Sequence, residues 1–166
     1  MTAARTLAWI RVCLAVMIAG LVVSGVTAFP LREELAMGSD LLHTTGVAQW
    51  APETAAWVDR VAAALAETAT QYPFLAYGTD WLAFAHLVIA VVFIGPMVDP
   101  VRNIWVIQFG VIACAGIIPL ALIAGGIRGI PLGWQLLDIS FGVIGVIPLL
   151  IAWRLTRRLE RMPAAV

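Results

Sequence analysis

Charge is what this sequence has least of. Lysine is missing altogether, and ten arginines against ten acidic residues leave a formal net charge of zero. No overall field therefore draws in nucleic acid or an acidic substrate. Charged residues make up 12% of the chain and hydrophobic ones 62%. A soluble domain carries roughly twice that share of charge, so a water-facing surface cannot be built around a core of this size. The two cysteines, Cys13 and Cys114, both fall in apolar blocks, one near the end of a block and the other near the middle of another. They are not placed to pair, and a C-x-x-C redox or zinc motif is missing. Asn-x-Ser/Thr glycan acceptors are missing too. That fits a bacterial source, as does the bias toward Arg, Ala, Val and Trp expected of a GC-rich genome.

Several chemistries fall with these absences. A metal site needs three or four ligands, whereas the apolar blocks offer His86 and Asp138, with Asp80 at an edge and His43 in a polar loop. No metal and no cofactor is expected. Bis-histidine haem would need two histidines within the apolar blocks, which only a symmetric dimer would supply. Nucleophilic catalysis needs a Ser or Cys beside a base; Ser140 is two residues from Asp138 and points away from it, and Cys114 has no base nearby. Gly125-Gly126-Ile127-Arg128-Gly129 is a turn, not a phosphate-binding loop.

What the sequence does have is long apolar runs, the signature of membrane-spanning helices. Four are expected, at about 7–29, 81–98, 104–125 and 132–153, in one membrane domain covering 1–166. The fold class is all-α: a polytopic four-helix transmembrane bundle with an amphipathic helical extracytoplasmic loop at about 30–79. The first run holds Arg11, which can snorkel to the headgroups. Val26-Thr27-Ala28 also has the look of a signal-peptidase site, but the run is long for a signal and Pro30 stops it where a span would end, so a retained span is expected. Asp99 to Asn103 and Gly126 to Pro131 are short links, which make neighbouring spans antiparallel and adjacent. Trp81, Trp105, Trp134 and Trp153 lie at span ends, as interfacial anchors do.

Within the polar stretch, Pro52 to Gln71 reads as an amphipathic helix. Trp57, Val58, Val61, Ala62 and Leu65 share one face, opposite Glu53, Asp59, Arg60 and Glu67. Pro52 suits a first turn and Pro73 ends the helix. Leu31, Leu35 and Leu42 have similar spacing, but Gly38 is expected to break that stretch. Arginine placement sets the orientation. Arg5, Arg11, Arg102, Arg154, Arg157, Arg158 and Arg161 fall on the side of both termini, and only Arg32, Arg60 and Arg128 on the other. The positive-inside rule then puts both termini in the cytoplasm of a bacterial inner-membrane protein.

Polar side chains inside hydrocarbon are costly and mark candidate sites. At 1.5 Å per residue, His86 and Asp138 lie at similar depth, about 8 and 9 Å below the outer ends of their spans; Gln108 lies in the other leaflet. His86 shares a stripe with Thr79, Ala83 and Ala90, and Asp138 one with Trp134, Gly142 and Gly145. Small residues allow close helix approach, so the two side chains are expected to meet across a seam, with Asp80, Arg128 and Gln135 above them. Pro96, Pro119 and Pro148 sit in the last third of their spans and shape them by kinking. The small-residue pairs Gly20-x-x-x-Ser24 and Ala121-x-x-x-Gly125 are candidate helix contacts. Inverted halves, the mark of a transporter, are not discernible.

The function expected from these features is non-enzymatic: binding of a small or lipidic ligand, or an accessory-subunit role, through an outer-leaflet pocket of His86, Asp138, Asp80, Arg128 and Gln135. A proton-coupled or ion-conducting oligomer is the alternative, and an intramembrane enzyme using the His/Asp pair a third. Expected partners are membrane lipids and a homo-oligomer or larger membrane complex, with no nucleic acid.

Overall fold

A computed structural model describes residues 2–162. Those residues form helices and turns with no strand. Four stretches are long and apolar enough to cross a membrane: Ala3–Ala28, Pro73–Val98, Ile104–Ile127 and Leu132–Glu160, with mean hydropathies of 2.2, 2.2, 2.4 and 2.1. No more than 22% of any of these apolar windows is buried within the chain. Most of their apolar surface therefore faces outward, as it does in helices solvated by lipid.

The first stretch is α1 (Ala3–Ala28), capped by Thr2, whose hydroxyl accepts from the Arg5 amide. The second is a single 3-10 turn (Pro73–Leu75) running into α5 (Ala76–Val92) and, after a break at Phe93, the short α6 (Ile94–Val98). Pro96 accounts for the break, because it has no N–H to give the Val92 carbonyl one turn back. Pro119 and Pro148, by contrast, lie inside the unbroken helices α7 (Ile104–Ile127) and α8 (Leu132–Glu160). Helix α8 runs on past Trp153, where its apolar run ends, because Arg and Leu are good helix formers whatever surrounds them.

Helix α7 closes with a Schellman motif: Gly129 takes the left-handed conformation (φ 66°), its amide donates to the Gly126 carbonyl, and the Ile130 amide donates to the Gly125 carbonyl. Pro131 then opens α8, and its carbonyl accepts from the Trp134 and Gln135 amides. Two residues after the left-handed glycine the chain is already travelling the other way.

Between α1 and the 3-10 turn lie α2 (Leu31–Thr44), α3 (Val47–Trp50) and α4 (Pro52–Gln71). Helix α4 starts and stops where its flanking prolines dictate. Its Val58 is buried, while Glu53, Arg60 and Glu67 are exposed. The expected break at Gly38 is not there: α2 continues through it, with open space around its missing side chain. A mid-helix glycine costs only about 1 kcal/mol against alanine, and packing of α2 along α4 outweighs that.

In the bundle, α1 packs against both α5 and α8, and α8 packs against α7, whereas α5 and α8 share no packed seam. The main apolar cluster lies toward the end that holds both termini: Ile10 and Leu14 from α1, Phe93 at the α5–α6 break, Ile107 from α7, and Leu149 and Ala152 from α8. Both cysteines join this cluster as free thiols. Toward the opposite end the seams are made by glycines. Gly25 of α1 sits against Ala83 and Leu87 of α5, and Gly142 of α8 sits against Cys114 and Ile117 of α7.

Candidate functional site

The five candidate residues all lie toward the end of the bundle that carries α2–α4, but they do not form one cluster. His86 is partly buried and shares the inward face of α5 with Ile89 and Phe93, whose spacing of three and seven residues follows the helical repeat. Its Nδ1 donates to the Leu82 carbonyl of the preceding turn at 2.8 Å. Asp138 is partly buried on the face of α8 that also carries Gly142 and Leu149. Among the described residues, no hydrogen bond or ion pair joins the imidazole and the carboxylate. The reason lies in the packing: α1 holds α5 and α8 separately, so two inward-facing stripes at similar depth need not face each other.

Gln135 is buried and its amide donates to the Ile130 carbonyl at 2.7 Å. A β-carbon on Gly125 would come within 2.7 Å of that side chain, so the glycine makes the room in which Gln135 braces the α7–α8 turn. Arg128 is the exposed cap residue of the same turn.

Asp80 is differently placed. It lines a crevice of about 150 Å³ where the cap formed by α2–α4 meets the bundle. The cap supplies Arg32, Leu65 and Thr68 to this crevice, and the bundle supplies Phe29, Ala76 and Asp80. An open depression of about 280 Å³ adjoins it, lined by Phe29, Tyr77, Asp80, Trp81 and Phe84. Phe29 and Asp80 belong to both, so the two are neighbours. Trp81 makes edge-to-face contacts with Tyr77 at 6.0 Å and Phe84 at 6.1 Å. Arg32 and Asp80 face one crevice without an ion pair between them among the described residues. Arg32 was not among the residues the sequence singled out. Its place in the crevice depends on α4 and α5 closing beside it, which no local sequence signal marks.

The cap has a polar clasp of its own. Asp59 on α4 accepts from the Ser39 hydroxyl at 2.5 Å and from Nε2 of His43 at 3.0 Å, both on α2. These bonds, the serine's first and the histidine's second, hold the Asp59 carboxyl below the usual carboxylate range. Serine and histidine both bind the carboxylate rather than each other, so the trio is a clasp between helices and lacks the Ser–His bond of a hydrolytic triad. No group of three or more His, Cys, Asp or Glu among the described residues is arranged to hold a metal ion.

Comparison with protein-family models, with curated proteins and with solved structures finds no match.

Proposed function

We propose that the chain is a four-span protein of a bacterial inner membrane, with both termini in the cytoplasm, that binds a lipidic amphiphile non-enzymatically where the cap meets the bundle. Seven of the ten arginines lie at the end of the bundle that holds the termini, which supports this orientation through the positive-inside rule. The cap helices α2–α4 then lie at the outer face, and the crevice opens at the level of the outer headgroups.

The observation that carries the binding reading is the pairing of neighbouring hollows, one holding Arg32 and Asp80 and the other Asp80 and the aromatic rings. A guanidinium and a carboxylate that do not neutralise each other suit a head group bearing both signs of charge. The rings of Phe29, Tyr77, Trp81 and Phe84 suit an apolar tail leaving that head group. At about 150 Å³ the crevice is smaller than a pocket that encloses a drug-sized molecule; it takes one end of an amphiphile and leaves the rest in the bilayer. Asp80 is thus the one of the five candidates that this reading places at the ligand.

The test is native mass spectrometry of the protein in detergent, titrated with phosphatidylethanolamine or with diacylglycerol, which has the tails without the charges. Retention of the zwitterionic lipid over diacylglycerol, lost in both Arg32→Ala and Asp80→Asn, is the expected result. Equal retention of the two lipids, or retention unchanged in both variants, would refute the site.

A further inference from the structure

A second polar surface lies at the opposite end of the bundle. A groove of about 460 Å³ runs along the last turns of α8, lined by Leu150, Trp153, Arg154, Arg157, Arg158 and Arg161. These residues follow one another at spacings of three, one, three, one and three, which puts them on a single helix face. All four arginines are exposed, while Ala152 and Thr156 on the other side of the helix are buried in the bundle. The end of α8 is therefore split lengthwise into a packed face and a cationic one.

The cationic face is short of counter-charge. Arg157 pairs with Glu160 at 3.2 Å, and that pair is exposed on both sides. Among the described residues, Arg154, Arg158 and Arg161 have no carboxylate within 4.0 Å. The one other acidic side chain at this end among the described residues, Asp99, accepts from the Arg102 backbone amide at 3.0 Å. Three unneutralised guanidinium groups on one helix face repel one another unless an external anion lies between them.

Helix length gives the level at which a bilayer would meet them. The 29 residues of α8 make a helix of roughly 43 Å. A hydrocarbon core of about 30 Å takes up some 20 of them, which puts Trp153 at its edge and the arginines in the headgroup layer. We propose that this face of α8 holds anionic phospholipid headgroups, the phosphate oxygens bridging Arg154, Arg158 and Arg161 and the acyl chains lying along Leu150 and Trp153. Guanidinium groups bind phosphate oxygens in pairs of parallel hydrogen bonds, and Trp153 is a typical neighbour at that depth. The proposal rests on the reading of the four apolar helices as membrane spans. It is independent of the crevice at the other end.

The experiment compares the full chain with R154Q/R158Q/R161Q and with R154K/R158K/R161K. Flotation with phosphatidylcholine vesicles first establishes insertion; binding of phosphatidylglycerol and of phosphatidylcholine is then measured by native mass spectrometry. Each arginine near an anionic surface contributes about fivefold in affinity, so the glutamine variant should lose at least about tenfold of the preference for phosphatidylglycerol. The lysine variant should keep most of it, which separates loss of charge from loss of folding. Equal binding of the two lipids by the unaltered chain, or the same preference in the glutamine variant, would overturn the proposal. So would inorganic phosphate displacing phosphatidylglycerol at millimolar concentration, because the site would then be one for the free anion. Failure to float with neutral vesicles would overturn the membrane reading itself, and the proposal with it.

Discussion

Glycine-to-alanine substitution at Gly142 of α8 and at Gly116 of α7 tests the seam that builds the bundle. A β-carbon on Gly142 would stand 2.6 Å from the Cys114 carbonyl oxygen and 3.2 Å from the Ile117 β-carbon. The nearest atom belongs to the backbone of a facing helix, so no side-chain rotation relieves the contact. The helices must part by roughly 1 Å to restore ordinary contact near 3.5 Å, and a gap of that size forfeits up to about half of each dispersion well along the seam. Overpacking of this kind costs about 1–3 kcal/mol, offset in part by the gain of about 1 kcal/mol when alanine replaces glycine in a helix. Gly142→Ala should therefore destabilise by up to about 2 kcal/mol. Gly116, two residues from Cys114 on α7, has open space where its β-carbon would go, so Gly116→Ala keeps only the helix-propensity gain of up to about 1 kcal/mol. The propensity gain is common to both, so the two variants should differ by the overpacking cost of about 1–3 kcal/mol, roughly 5- to 150-fold in the unfolding equilibrium. Reversible unfolding in mixed micelles, driven by increasing sodium dodecyl sulfate and followed by circular dichroism, reads that difference. If both substitutions move the midpoint the same way by the same amount, the close approach of α7 and α8 at Gly142 is refuted.

How much of this was readable beforehand depended on which signals survive without a third dimension. The four apolar helices were, because length, hydropathy and terminating prolines are properties of the chain itself. So was α4, whose stripe from Trp57 to Leu65 alternates with charges that water must reach. What pairs with what was not. In a soluble protein an apolar stripe identifies the inner face, but here the outer faces are apolar too, and Val16, Val23, Ile112 and Phe141 are all exposed. Only small residues then discriminate, and they do so imperfectly: Gly25 and Gly142 are packed, whereas Gly20, half of an expected contact pair, has nothing within 4 Å of its missing side chain. Gly38 misled in the opposite sense, because local propensity suggested a break where packing on α4 sustains the helix. Arg32 escaped notice since its significance comes from α4 and α5 closing around it, and nothing local to Pro30–Leu31–Arg32 encodes that.

The cap and the polar groups within the apolar helices give two further predictions. Because Asp59 has its carboxyl held below the ordinary range in the folded chain, the clasp's contribution is complete above the unfolded value of about 4 and falls away as pH drops through the lower folded one. Protection from hydrogen exchange across 31–71, taken relative to the intrinsic rate at each pH, should accordingly fall only at acid pH, below about 4, and Ser39→Ala should make that fall smaller and complete it at a higher pH; protection lost between pH 5 and 7 instead would show that the carboxylate is not the controlling group. The last prediction concerns His86 and Asp138, which depth and periodicity alone would pair. Two groups that exchange no hydrogen bond, on helices with no packed seam between them, should act independently. In a double-mutant cycle of His86→Ala and Asp138→Ala, read by the same micelle unfolding, the coupling energy should stay below about 0.5 kcal/mol. A buried, hydrogen-bonded ion pair would give several times that, since removing either partner strands the other's charge. A coupling above about 1 kcal/mol would mean that imidazole and carboxylate do meet, and would restore the inward-facing pair as a site in its own right.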